Sequence, residues 1–239
     1  MRHPLSLAAL LVAVCLTSMV RADGLMYRLP EDGASAQFNL EFTAGPTGIE
    51  KKGTGEIRIS SVGETVFNNE KCRWLEFRFT LKMEQQDQER LMIAKLLIPE
   101  KHLGKGQSPG ENVVRGWFKQ GTGEVQELND LKQLHNGPLL AFLSGPFKDA
   151  KELEKIEVDG ILGKLACAGQ TGRNDAAQDN VMATSEFENR LHEKAPFGLV
   201  TSNIKIEVRK NGQLQEIVNI SLKLTDVGTT ALSELPDRK

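Results

Sequence analysis

Apolar and polar residues alternate with period two along much of this chain, the pattern of strands with one buried and one solvated face. In residues 37–43, Phe38, Leu40 and Phe42 fall on one side and Asn39 and Glu41 on the other. From position 73, Leu75, Phe77, Phe79, Leu81 and Met83 oppose Glu76, Arg78, Thr80 and Lys82. Nearer the C-terminus Ile204, Ile206 and Val208 oppose Asn203, Lys205 and Glu207. The last predicted strand sets Leu214, Val218, Ile220, Leu222 and Leu224 against Gln213, Gln215, Asn219, Ser221 and Lys223. Less regular strands are predicted over 56–60, 91–98, 113–119, 155–158, 161–168 and 181–188. Asn68-Asn69 and Asn211-Gly212 supply tight hairpin turns, and residues 85–88 a polar hairpin tip. The stretches 104–110 and 171–180, rich in Gly, Pro, Asn and Asp, read as surface loops.

The fold expected is mainly β, a β-rich α+β domain built on a curved antiparallel sheet or half-barrel of about 9–11 strands. One region breaks the alternation. Leu131 and Leu134 are three apart, Gly137-Pro138 interrupts, and Leu139, Leu140, Phe142 and Leu143 follow before Gly145-Pro146. That spacing predicts short helices over 130–143, inserted between strands and covering the concave face of the sheet.

The first 22 residues read differently. Arg2 and His3 precede an apolar run over 5–16, and Val20-Arg21-Ala22 offers a small-residue cleavage site before Asp23. This is the layout of a secretory signal peptide, so residues 1–22 are expected to be removed and 23–239 to form one β-rich domain, periplasmic or extracellular. The run is shorter than the ~20 residues that span a bilayer, and the remaining sequence has no transmembrane segment of its own. Those 217 residues carry 28 basic and 32 acidic side chains, a balance that draws the chain to neither nucleic acid nor anionic lipid.

Candidate chemistry is sparse. His102, His135 and His192 lie at no metal-ligand spacing, and the clusters Gly53-Thr54-Gly55, Gly104-Lys105-Gly106 and Gly121-Thr122-Gly123 read as turns rather than phosphate loops. Asn174, Asp175, Asp179 and Asn180 offer hard oxygen ligands without the spacing of a calcium loop. Most carboxylates alternate with apolar residues along strands, as a solvated sheet face requires. The sequence therefore predicts no metal, no cofactor and no catalytic constellation: a non-enzymatic protein of unspecified oligomeric state. Cys72 and Cys167 could pair in an oxidising compartment, or lie buried as two small hydrophobes. Trp117, Leu139, Leu140, Phe142 and Leu143 are the candidate ligand-binding residues. Over a curved sheet they would line an apolar cavity; the competing reading is core packing between helix and sheet.

The strands over 38–43, 55–60 and 72–83, Gly-Trp-Phe at 116–118, the helical insertion, and Ala195-Pro196-Phe197-Gly198 leading into 199–208 follow a recognisable order. The order resembles that of uncharacterised exported bacterial proteins of similar length, with a Cys-Arg-Trp-Leu-Glu-like strand and a Pro-Phe-Gly turn before the final hairpin. More distantly it is similar to the periplasmic lipoprotein-carrier (lipoprotein-localisation) superfamily, whose curved sheet is plugged by short helices and holds acyl chains. The resemblance is architectural, and it implies an apolar ligand, an acyl chain or a lipoprotein, held in the concave face. The alternative is an envelope structural or interaction protein with a filled core and an exposed working face. An open oily cavity would favour the first, and a filled interior the second.

Overall fold

A computed structural model of the chain describes residues 27–46, 49–84, 88–128, 147–178 and 180–235. Its strands are β1 (Ser35–Gly45), β2 (Lys51–Phe67), β3 (Glu70–Met83), β4 (Arg90–Pro99), β5 (Arg115–Gln120), β6 (Gln126–Glu127), β7 (Lys148–Gly160), β8 (Gly163–Gln178), β9 (Val181–Leu191), β10 (Leu199–Lys210) and β11 (Gln213–Gly228). They form one antiparallel sheet in the order β6-β5-β4-β3-β2-β1-β11-β10-β9-β8-β7. Because β1 pairs with β11, the first and last strands meet in the middle and the edges are β6 and β7. The sheet stays open between those edges. Helical structure among the described residues is limited to the 3-10 turns Glu100–His102 and Pro109–Asn112. The predicted helices over 130–143, the signal peptide over 1–22 and most of the hairpin tip at 85–88 lie outside the described residues.

Turn chemistry acts where the sequence placed it. Asn68 and Asn69 have φ of 49° and 62°, and Asn211 and Gly212 have 51° and 79°, the left-handed pair of a two-residue hairpin turn. Two expectations are corrected. Residues 171–178 are not a loop but the second half of β8, where polar residues of low strand propensity are held by cross-strand partners, Arg173 opposite Glu186 and Asp175 opposite Thr184. Gly53 and Gly55 are not a turn but lie inside β2, where a Cβ would collide with the Phe42 ring and the Thr80 carbonyl respectively.

One face of the sheet carries the core. Phe38, Ile57, Phe77, Phe79, Leu96 and Ile98 from β1–β4 join Cys167, Phe187, Ile204, Leu222 and Leu224 from β8–β11 in a single buried cluster. Leu103, Val113, Ala195 and Phe197 close it from the loops. Each large side chain so buried contributes about 1.5–3 kcal/mol before its ordering entropy is subtracted.

One charge lies deep beside this core. Arg73 Nη1 donates to Ser61 Oγ at 3.0 Å and to the Pro30 carbonyl at 3.4 Å, while Nε and Nη2 reach Glu100 Oε1 at 3.2 and 2.8 Å. Arg73 also pairs with Glu64, and Lys71 Nζ bridges Glu64 and Glu100 at 3.1 Å each. Burial pushes the Glu100 carboxyl up, but hydrogen bonds and charge from Arg73 and Lys71 outweigh it and hold the group below its ordinary 4.5. The network ties the segment before β1 and the turn after β4 to the body of the sheet.

Candidate functional site

Strand register assembles a row of residues that no single strand reveals. Met83, Gly53, Phe42, Ile220, Ile204, Phe187 and Gly172 pair one to the next across β3, β2, β1, β11, β10, β9 and β8. Their side chains belong to the core face. The rows on either side point the other way: Lys82, Thr54, Glu41, Ser221, Asn203, Glu188, Thr171 and Lys151 in one, and Lys52, Thr43, Asn219, Lys205, Glu186 and Arg173 in the other.

All three rows line one open cavity of about 1200 Å³. The core-face residues two positions away, Leu40, Ser202 and Leu222 on one side and Ala44, Ile206 and Val218 on the other, do not line it. Alternation then places the cavity on the polar face, with the backbone of the middle row showing between polar side chains. Eight flat strands would span ~34 Å, so one cavity touching both β3 and β7 requires the sheet to curl around it.

Among the described residues the walls carry five bases, Lys52, Lys82, Lys151, Arg173 and Lys205, and five acids, Glu41, Glu84, Asp149, Glu186 and Glu188. Thr43, Thr54, Thr171, Asn203, Asn219 and Ser221 add neutral donors and acceptors. Several charges are already oriented. Lys205 Nζ sits 2.9 Å from Glu207, and Asp175 receives Arg173 at 2.9 Å, Thr184 at 3.0 Å and Lys148 at 3.4 Å. The Arg173 hydrogen bond outweighs desolvation and holds Asp175 below its ordinary 3.8. This candidate hard-oxygen ligand is thus a partner of cations on its own sheet. Among the described residues no group of three or more His, Cys, Asp or Glu side chains is placed to hold a metal.

The residues singled out from sequence are placed elsewhere. Trp117 is buried over β3–β5 in a cluster with Ile93 and Leu235, its ring 4.8 Å from Trp74, and it does not line the cavity. Leu139, Leu140, Phe142 and Leu143 lie outside the described residues. Cys72 and Cys167 are free and buried, the second of the two arrangements considered above. The reason is topological: β2, β1, β11, β10 and β9 lie between their strands in the sheet. Cys167 packs in the main core, while the Cys72 thiol donates to the Glu70 carbonyl at 3.5 Å. Burial pushes both thiols up, so both are poor nucleophiles. His192 Nδ1 accepts the Lys194 amide at 3.1 Å, a local turn contact.

The cavity residues were missed because alternation assigns faces within a strand but not pairing between strands. Reading 171–180 as a loop hid Thr171 and Arg173 in particular. Among the described residues no helix is long and apolar enough to cross a membrane.

No protein-family model matches the sequence, and no curated protein matches it. Several solved structures are similar over most of the chain, among them the following three. A Bacteroides fragilis protein inferred to be exported, with a YmcC-like fold, is 8% identical with a TM-score of 0.35, covering 86% of this chain and 99% of its own. A Parabacteroides distasonis protein inferred to be a lipoprotein is 9% identical with a TM-score of 0.35 over the same shares, 86% and 99%. A β-barrel-like protein of a domain of unknown function from Brucella abortus is 10% identical with a TM-score of 0.27, covering 84% and 98%. Scores this low do not establish a common fold, so the cavity stands on this chain's own residues.

Proposed function

We propose that this chain is an exported, non-enzymatic binding protein that works through the polar cavity, taking an extended polypeptide segment that carries both charges. One observation carries the reading: a cavity of about 1200 Å³ lies on the polar face, walled among the described residues by equal numbers of acids and bases. Balanced walls steer neither anions nor cations, and they suit a ligand that presents both signs with amide donors and acceptors between. No histidine or cysteine stands among the described lining residues, which favours binding over catalysis. Export rests on the signal-peptide pattern of residues 1–22. The acyl-carrier reading needs an oily cavity, whereas the core face at this level is filled: Phe187 is 4% and Ile204 3% exposed.

The test is selection of peptides from a random displayed library on the immobilised protein. Peptides of mixed charge should be enriched, and the pair of reversals Lys205→Glu and Glu188→Lys should weaken each by about tenfold or more. Saturable binding of a fluorescent fatty acid with no peptide enriched would overturn the reading in favour of apolar carriage. Enrichment of a glycan instead would overturn it in favour of a saccharide.

A further inference from the structure

A second surface lies on the polar face over β3–β5, outside the cavity, where aromatic and aliphatic side chains stand among the charged residues Glu76, Arg78, Lys95 and Arg115. Trp74, Ile93 and Trp117 form an apolar strip there, isolated from the main core. Among the described residues outside the strands, Leu235, 2% exposed, and the partly buried Val125 pack on it. The segment holding Leu235 is gripped by one carboxylate. Glu76, 4% exposed, accepts the Ser233 hydroxyl at 2.7 Å, the Glu234 amide at 2.9 Å and the Leu235 amide at 3.3 Å. Arg78 adds an ion pair to Glu234 at 3.4 Å. Within the strip, in register between Glu76 and Trp117, Lys95 is fully buried with its Nζ 5.3 Å over the Trp74 ring, and Arg115 lies 4.9 Å over Trp117.

These contacts amount to recognition of a short sequence: a hydroxyl residue, two consecutive backbone amides, the second shared with the hydroxyl at 3.3 Å, and a leucine. A buried carboxylate that takes successive amides selects backbone geometry, and an aromatic-walled pocket selects the side chain that follows. The tether is an irregular segment pinned by a backbone hydrogen bond, from the Ala231 amide to the Gly33 carbonyl at 2.8 Å. Residues 229–232 belong to no strand or helix, and Leu232 is 87% exposed. An apolar strip of this kind, once uncovered, is a docking surface.

We propose that the outer face of β3–β5 is a peptide-recognition groove for segments of Ser-x-Leu chemistry, and that residues 233–235 occupy it in cis as a displaceable strap. A partner presenting the same chemistry competes with the strap.

The chain's two tryptophans, Trp74 and Trp117, both lie at this groove, so intrinsic fluorescence reports on it alone. In the full chain, Leu235→Asp should expel the strap, red-shift the emission and raise acrylamide quenching while the circular dichroism of the sheet is kept. A synthetic peptide of residues 229–239 added in trans should then restore the original emission saturably. Adding Glu76→Gln should weaken that peptide by at least about tenfold. Unchanged emission in Leu235→Asp, or a red shift that no concentration of peptide reverses, would overturn the proposal. If Leu235→Asp does not fold, Leu235→Ala carries the same test, because it loosens the strap without placing a charge beside the tryptophans.

Discussion

At the level of the cavity, neighbouring residues of one strand have opposite fates. Phe187 and Ile204 are buried on the core face, while Glu188 and Lys205, one residue further along β9 and β10, stand exposed in the cavity wall. The contrast teaches that a single sheet separates stability from recognition by the parity of its positions. Odd and even residues of the same strand can be changed with different consequences, and the sharpest test sets one against the other. Phe187→Ala removes a ring stacked 4.4 Å from Phe147, which itself lies over Gly172 where a Cβ would collide. It should cost about 3–5 kcal/mol in urea unfolding and leave peptide binding by the folded fraction intact. Lys205→Glu should do the reverse, moving stability by no more than about 0.5 kcal/mol while reducing binding. Equal effects from both substitutions would break the comparison.

Arg73 is the charged exception within the core-face pattern, since its register partner Ile98 belongs to the buried cluster. Arg73→Ala would strand Glu100 and Glu64 without their guanidinium, at a cost of about 3 kcal/mol measured by the same unfolding curve. The value sits low in the range for buried pairs because Glu64 keeps 41% of its side-chain exposure and can recover water. A loss as small as that of an exposed pair would mean that the segment before β1 is held by other contacts.

The Glu100 carboxyl gives a smaller, pH-dependent effect. Above its ordinary 4.5 the group is ionised in folded and unfolded chains alike, and its pairing with Arg73 and Lys71 stabilises fully. As pH falls below that value the unfolded chain takes up the proton first, so stability declines until the lower folded value is passed. Glu100→Gln should therefore be less stable than the parent at neutral pH by about 1–2 kcal/mol, with the gap narrowing as pH falls below the ordinary 4.5. A gap that stays constant with pH would show the carboxylate charge to be irrelevant.

How much of this was legible before the fold was known follows from the same parity. The alternation Leu75 to Met83 is the face assignment of β3, and Phe38, Leu40 and Phe42 that of β1. Asn-Asn and Asn-Gly located two turns because left-handed backbone has few tolerant residues. The rest depended on partners remote in sequence. Thr171 to Asp175 look like a loop until Glu186, Glu188 and Thr184 stand opposite them, and Gly53 looks like a turn until Phe42 needs its space. Trp117 was singled out as a ligand-lining residue, whereas its setting is a buried cluster with Leu235, more than a hundred residues away. The cavity was illegible for the deepest reason: its walls are ordinary solvated strand positions, and only the curl of eight strands gathers them.

The smallest expected effect concerns the two cysteines, and its smallness is the point. Cys72 and Cys167 are both buried and free, on strands that five others separate. A disulfide between them would close a loop of nearly a hundred residues and be worth several kcal/mol by its restriction of the unfolded chain. Free thiols contribute no such restriction, so a reducing agent should leave the urea midpoint where it is. Denatured, unreduced protein should titrate both thiols, while the folded protein should react slowly, since burial pushes both groups up and hides them. A reductant that lowered the midpoint by the amount expected of a bridge would require Cys72 to leave the start of β3. The register that pairs Cys72 with Thr65 and Pro99 would then have to slip, and with it the parity that places Arg73 against the core and Glu76 against the strap.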